Sequence, residues 1–320
     1  MSGIYEALRQ KREELASSGS ALPRGLSAEV IDSAGESALG GLGEELHAMV
    51  SVALEESHFD QPALPREIAQ AHPGVDVKPV SEYRQLTLAH EKNPSLLFRN
   101  DPHGLAAEQF RFLRRSLEQK FPTGAVLLIT SPAPKDGKSL TALNLCTCLA
   151  ETGRPTLLVE SDVRQPSLSE IVGHTNDVPG IENVFAGTAS PEHVIHSIEE
   201  LSICVALVGE PPNDPSRLIG SANAKRFLSW ARENFTWIVI DAPPVLPAVD
   251  VSLLTGLADA TLLVVRSYRT PRGLTARAIE MLGNHLSGVI LNDAAIASTT
   301  YGYVNYGRKK QASVRTDISK

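Results

Sequence analysis

The segment Ser131-Pro132-Ala133-Pro134-Lys135-Asp136-Gly137-Lys138-Ser139 joins an apolar run to a helical pattern and ends in Gly-Lys-Ser. A loop so placed turns backbone N–H groups and a helix N-terminus towards phosphate oxygens. Lys138 would reach the β- and γ-phosphates, and the Ser139 hydroxyl would meet Mg2+. Proline stands at 132, where the strict pattern has glycine. On its own, the tripeptide fits an ordinary strand-to-helix turn as well. Two acidic sites shift the balance towards a nucleotide. Leu157–Val159 leads into Glu160-Ser161-Asp162, whose carboxylates are two apart and so share one face of an extended segment. Trp237–Ile240 leads into Asp241. Ligands of open α/β sheets bind beyond the carboxyl ends of the strands, so a lysine and three acids there suit a Mg-nucleotide.

These residues need a sheet to hold them. Apolar runs at Ala125–Thr130, Thr156–Val159, Ile203–Val208, Trp237–Ile240, Ala260–Val265 and Gly288–Leu291 predict strands, several with both faces buried. Helical patterns lie between them at Leu105–Lys120, Lys138–Glu151 and Ser221–Glu233, and another opens at Thr270-Pro271. Strand and helix in alternation predict a doubly wound α/β domain with a mainly parallel sheet. We place it at residues 86–300. Residues 1–85 read as a flexible arm with short helices, one at Gly3–Leu15 and one at Glu44–Leu54, and 301–320 as a basic tail.

The chain has 320 residues and a net charge of −7, which argues against nucleic-acid binding. No apolar run approaches the roughly 20 residues that span a bilayer. Cys146, Cys148 and Cys204 are too few for a disulfide framework and suit a reducing cytosol. Cys146 and Cys148, two apart on a helix, read as small core groups.

Taken in order, these motifs resemble the bacterial tyrosine kinases of capsule and exopolysaccharide operons, over roughly residues 97–306. Pro134–Ser139 is similar to the family's Walker A, Leu157–Pro166 (with Asp162, Arg164 and Pro166) to its Walker A′, and Ile238–Pro244 to its Walker B. Glu108, Arg111 and Arg114 match an oligomerisation motif, and Pro211-Pro212-Asn213-Asp214-Pro215 a proline-rich connector. Tyr301, Tyr303 and Tyr306 look like the C-terminal tyrosine cluster, and Met1–Leu8 like the N-terminal arm of stand-alone members.

The resemblance implies a P-loop ATPase-like fold that transfers the γ-phosphoryl group of ATP to tyrosines, with Mg2+. Pro134, Lys135, Asp136, Gly137, Lys138, Ser139 and Leu140 would bind nucleotide, and Asn292 would contact adenine. Asp162 would position the metal or help deprotonate the tyrosine, with Ser139 and Asp241 as further metal residues. Tyr301, Tyr303 and Tyr306 would be the acceptors. The family implies a homo-oligomeric ring built through Glu108, Arg111 and Arg114, a membrane polysaccharide co-polymerase acting in trans, a cognate tyrosine phosphatase, and a cytoplasmic place at the inner membrane face.

The family pattern is broken at two positions. Glu160 replaces an aspartate, which moves a catalytic carboxylate outward by about one bond, and roughly 1 Å of misplacement can cost on the order of 10²-fold in rate. Lys135 replaces a glycine, which predicts a strained positive φ. Other readings are a pseudokinase scaffold and a nucleotide-switched ATPase of the MinD/ParA kind. Against the latter, Ala133 stands where those proteins carry a signature lysine, and Gln311–Lys320 has no apolar face.

Overall fold

The computed structural model describes residues 51–54, 82–88, 93, 96–173, 179–246 and 250–294, with the backbone alone at 51–54. The chain divides into two units, and all described residues fall in the one formed by Met1–Pro23 and Leu46–Ala294. The helix expected at Gly3–Leu15 and the tail tyrosines 301, 303 and 306 lie outside the described residues.

In chain order the strands are β1 (Ser51–Leu54), β2 (Arg84–Gln85), β3 (Ala125–Thr130), β4 (Thr156–Glu160), β5 (Ile195–Ile198), β6 (Ile203–Ala206), β7 (Trp237–Asp241), β8 (Ala260–Arg266) and β9 (Leu286–Asn292). They form one sheet in the order β1-β9-β8-β3-β7-β4-β6-β5-β2. From β9 to β6 every pairing is parallel, whereas β1 joins β9 and β5 joins β6 antiparallel. The helices that matter below are α1 (Leu97–Asn100), α2 (Leu105–Lys120), α3 (Lys138–Ala150) and α4 (Leu168–Val172). They are followed by α5 (Ile181–Ala186), α6 (Pro191–Val194), α7 (Pro215–Ile219), α8 (Ala222–Asn234), α9 (Asp250–Thr255) and α10 (Arg272–Leu282).

Period-two alternation splits the central strands between two cores. Val126, Leu128, Ile238 and Ile240 join Phe227, Ala231 and Ile279 of α8 and α10 on one face. Leu127, Ile129, Trp237 and Val239 join Leu113, Leu117, Leu143 and Leu145 of α2 and α3 on the other. Helix α3 is buried nearly all round, so Cys146 and Cys148 both lie in the core although two residues apart. This three-layer arrangement is the doubly wound fold that the alternation of elements predicts.

The sheet reaches further upstream than residue 86. Ser51–Leu54, expected to end a helix, is instead extended, because pairing with β9 satisfies backbone groups that would otherwise form an open edge. Strand β2 pairs with β5, and Tyr83 is buried with its ring 5.9 Å from that of Phe235. The folded unit therefore takes in residues assigned to the arm.

Candidate active site

Strand β3 delivers the chain to the P-loop and α3 carries it away. Between them Gly137 has φ +97°, and a Cβ there would stand 2.0 Å from Asn292 Nδ2, so any other residue would strain the backbone and displace the Asn292 amide. Lys135 has φ +68°, the strained conformation expected where the family has glycine. Its side chain is exposed, as is Pro134, whereas Leu140 is half-buried in the first turn of α3.

Lys138 is the centre of the site. Its Nζ lies 2.9 Å from Asp162 Oδ2, 3.4 Å from Asp241 Oδ1 and 3.2 Å from Ser139 Oγ, and all four residues are buried. Burial lowers the Lys138 pKa, but Asp241 and Asp162 outweigh it and hold the ammonium above its ordinary range. Asp241 is fully buried at the end of β7, which raises its carboxyl against the opposing pull of Lys138. One lysine facing two carboxylates leaves a negative excess. Asp241 Oδ2 is buried with no hydrogen-bond partner, a polar atom suited to a further cationic ligand. These oxygens and the Ser139 hydroxyl are hard donors that fit Mg2+, which is held by one or two carboxylates together with phosphate.

Glu160 is not part of this group. Strand β4 ends at Glu160, so the strand period that put both acids on one face stops before Asp162. Glu160 Oε1 accepts from the backbone N–H of Ser167 (2.6 Å) and Leu168 (2.7 Å). Its Oε2 accepts from Val208 N–H (3.0 Å) and Ser169 Oγ (3.3 Å). Burial pushes its carboxyl up to about 7 against the pull of these donors. The extra methylene thus carries the carboxylate under the 161–167 loop, where it caps α4 and ties the loop to the end of β6. Within that loop, Ser167 Oγ donates to Ser139 Oγ at 2.8 Å, a contact that no motif announces. Arg164 reaches Asp250 Oδ2 (2.8 Å) and Ser216 Oγ (2.9 Å) and so holds the loop against α9 and α7.

The P-loop is braced from its other side as well. Asp136 accepts from Ala133 N–H (2.9 Å) and from Thr270 Oγ1 (2.7 Å), and burial raises its carboxyl. The resemblance implies adenine contact for Asn292, but here its amide donates to the Asp136 carbonyl at 3.0 Å. Asp136 is thereby a structural bracket of the loop, and Thr270 is a second residue that sequence reading marked only as a helix start.

Glu108, Arg111 and Arg114 do meet on one face of α2. Arg111 pairs with Glu108 (2.6 Å) and Glu151 (2.7 Å), and Arg114 with Glu151 (2.8 Å) and the Cys148 carbonyl (2.7 Å). Burial raises the Glu151 carboxyl, but the two guanidiniums outweigh it and hold it below the usual carboxylate range. The cluster therefore clamps the far end of α3 to α2.

The chain is similar to YwqD of Bacillus subtilis, a tyrosine-protein kinase, at 31% identity over 215 residues, covering 65% of this chain and 90% of YwqD. It is 29% identical over 206 residues to CpsD of Streptococcus agalactiae, also a tyrosine-protein kinase, covering 63% of this chain and 90% of CpsD. Among solved structures, the kinase domain of the Escherichia coli tyrosine kinase ETK superposes with a TM-score of 0.61 at 26% identity, covering 66% of this chain and 85% of that one. No protein-family profile matches the chain.

Proposed function

Because this chain belongs to the bacterial tyrosine-protein kinases, we propose that it transfers the γ-phosphoryl group of Mg-ATP to its own C-terminal tyrosines. The observation that carries this reading is the sharing of Lys138 between Asp162 and Asp241 at the mouth of a glycine-pinned P-loop. Phosphoryl transfer leaves a protein little covalent chemistry, so positioning and charge supply most of the catalysis.

The P-loop N–H groups cradle the phosphates, and Lys138 exchanges carboxylate contacts for β- and γ-phosphate oxygens. Bound with the nucleotide, Mg2+ would neutralise charge that develops on the phosphates, and Ser139 and Asp241 would hold it, which leaves Asp162 for the proton. The phenolic oxygen attacks the γ-phosphorus, the bond to the β–γ bridging oxygen breaks, and ADP leaves. Asp162, released from Lys138, accepts the phenolic proton and returns it to solvent. Glu160 fixes the loop that carries Asp162 and touches no reacting atom.

Tyr301, Tyr303 and Tyr306 are the acceptors in this reading. From Tyr301 onward, five basic residues and one acid give the tail +4. Three phosphates add about −5 and reverse that sign, which drives the tail out of an acidic neighbouring site and loosens a ring of subunits. Among the described residues no helix is long and apolar enough to cross a membrane. A membrane polysaccharide co-polymerase is the activator that the sequence resemblance supports, with exopolysaccharide polymerisation or export as the output and a tyrosine phosphatase as the reset.

The test is anti-phosphotyrosine detection after incubation with Mg-ATP, with and without a cytoplasmic co-polymerase peptide. Wild type gives a signal, and both K138M and the Y301F/Y303F/Y306F triple variant lose it. A triple variant as bright as wild type would overturn the tail as acceptor.

A further inference from the structure

The 161–167 loop reaches two neighbouring residues at the end of the P-loop. Near its start Asp162 pairs with Lys138 (2.9 Å), and at its end Ser167 Oγ lies 2.8 Å from Ser139 Oγ. The first contact joins opposite charges. The second joins two neutral hydroxyls, and its meaning lies in the valences of the Ser139 oxygen.

A serine hydroxyl has one proton to donate and two lone pairs to offer. The Ser139 hydroxyl donates its hydrogen bond to Asp241. Its oxygen receives Ser167 Oγ–H at 2.8 Å and the Lys138 ammonium at 3.2 Å. Both lone pairs are therefore taken, and a cation can bind there only when one donor leaves. Lys138 is the donor that a nucleotide draws away, because phosphate oxygens take its ammonium. Ser167 has no such competitor. With Asp241 holding the proton and Ser167 holding one lone pair, the Ser139 hydroxyl cannot rotate freely, and the lone pair vacated by Lys138 keeps its direction.

Ser167 is itself held in place. Its backbone N–H donates to Glu160 Oε1 at 2.6 Å, and the N–H of Leu168 donates to the same oxygen at 2.7 Å. Glu160 Oε2 accepts from Val208 N–H (3.0 Å) and Ser169 Oγ (3.3 Å), and the carboxylate is fully buried. The acid that departs from the family pattern is thus bonded to the residue that touches Ser139.

Resting on the Mg-ATP reading above, we propose that Ser167 is a positioning residue for the metal, one that donates to Ser139 Oγ and aims its free lone pair at Mg2+ once Lys138 has moved to the phosphates. Glu160 acts one step further out, by fixing the backbone of Ser167. Neither residue touches the reacting atoms.

Calorimetric titration of the full chain with ADP, in excess Mg2+ and again in EDTA, tests this without turnover. The ratio of the two affinities measures the coupling between metal and nucleotide. S167A is expected to lower that ratio about fivefold, in line with the loss of one hydrogen bond, while ADP binding in EDTA changes less than twofold. S167T, which keeps the hydroxyl, retains the wild-type ratio. A wild-type ratio in S167A would overturn this inference alone. So would a loss of equal size in EDTA and in Mg2+, or one that S167T shares, because either marks a disturbed loop rather than a lost donor. A wild-type chain whose ADP affinity is indifferent to Mg2+ would overturn the Mg-ATP reading as well.

Discussion

On the β7/β4 side of the P-loop, Lys138, Asp162 and Asp241 bury charge that is incompletely matched, and one oxygen of Asp241 has no hydrogen-bond partner. On the β8/β9 side, Arg266, Thr270, Asn292 and Asp293 close on one another and on the loop, where Lys135 and Asp293 hold a positive φ. The positive φ of Lys135 costs on the order of 1–3 kcal/mol, offset by the bonds that hold the loop. The first flank leaves electrostatic demand for a ligand to meet. The second spends its hydrogen bonds on fixing shape. A kinase needs both, since charge stabilises transfer and shape sets the line of attack.

The largest effect is expected at Lys138. K138M leaves two buried carboxylates facing each other, and removal of one partner from a buried pair costs about 3–5 kcal/mol. Thermal unfolding should therefore show a clear fall in Tm. Adding D241N to K138M should recover part of that Tm while phosphotransfer stays absent, which separates the structural from the catalytic share of the lysine.

Next comes Glu160. E160D restores the residue type of the family but draws the carboxylate back from its four donors. An unsatisfied buried donor costs about 1–3 kcal/mol, so E160D should be less stable than wild type by about that amount. Its kcat should fall at least tenfold, with KM for ATP little changed. A faster E160D enzyme would return Glu160 to the reacting group.

The smallest effect lies far from both flanks, at Glu151. Its carboxyl is held below the ordinary range by Arg111 and Arg114, so its contribution is present above the unfolded carboxylate range and is lost as pH falls through the depressed value. For a partly exposed pair this amounts to about 0.5–1 kcal/mol. The Tm difference between wild type and E151Q should be largest near pH 7 and close up towards pH 3.

How legible this was depends on where each interaction finds its partner. Runs such as Ala125–Ile129 and Trp237–Ile240 are apolar because both faces are buried, so sequence shows them as strands directly. Strand β5, Ile195-His196-Ser197-Ile198, carries two polar residues in its middle and was not visible in that way. Ser51–Leu54 takes its conformation from an edge more than two hundred residues away. That Lys138, Ser139, Asp162 and Asp241 would come together was legible because each lies at or just after the carboxyl end of a strand or in the loop that follows one. The aim of Glu160 was not, since it answers to the N–H groups of Ser167, Leu168 and Val208, and backbone donors leave no trace in residue type. Lys135 stands where the family resemblance places glycine, which predicts a strained backbone, and its φ of +68° agrees. What Thr270 and Arg266 do for the loop follows from tertiary contact alone.

In a tyrosine kinase phosphate leaves ATP for tyrosine rather than for water. The most direct test of that transfer is to follow ADP, inorganic phosphate and chain mass together after Mg-ATP is added to wild type and D162N with the activating peptide present. Wild-type chains should gain one phosphate for each ADP released, mapped to Tyr301, Tyr303 and Tyr306, with D162N slowed at least a hundredfold. ADP released with an equal amount of inorganic phosphate and no gain in chain mass would contradict it and leave a nucleotide-hydrolysing switch.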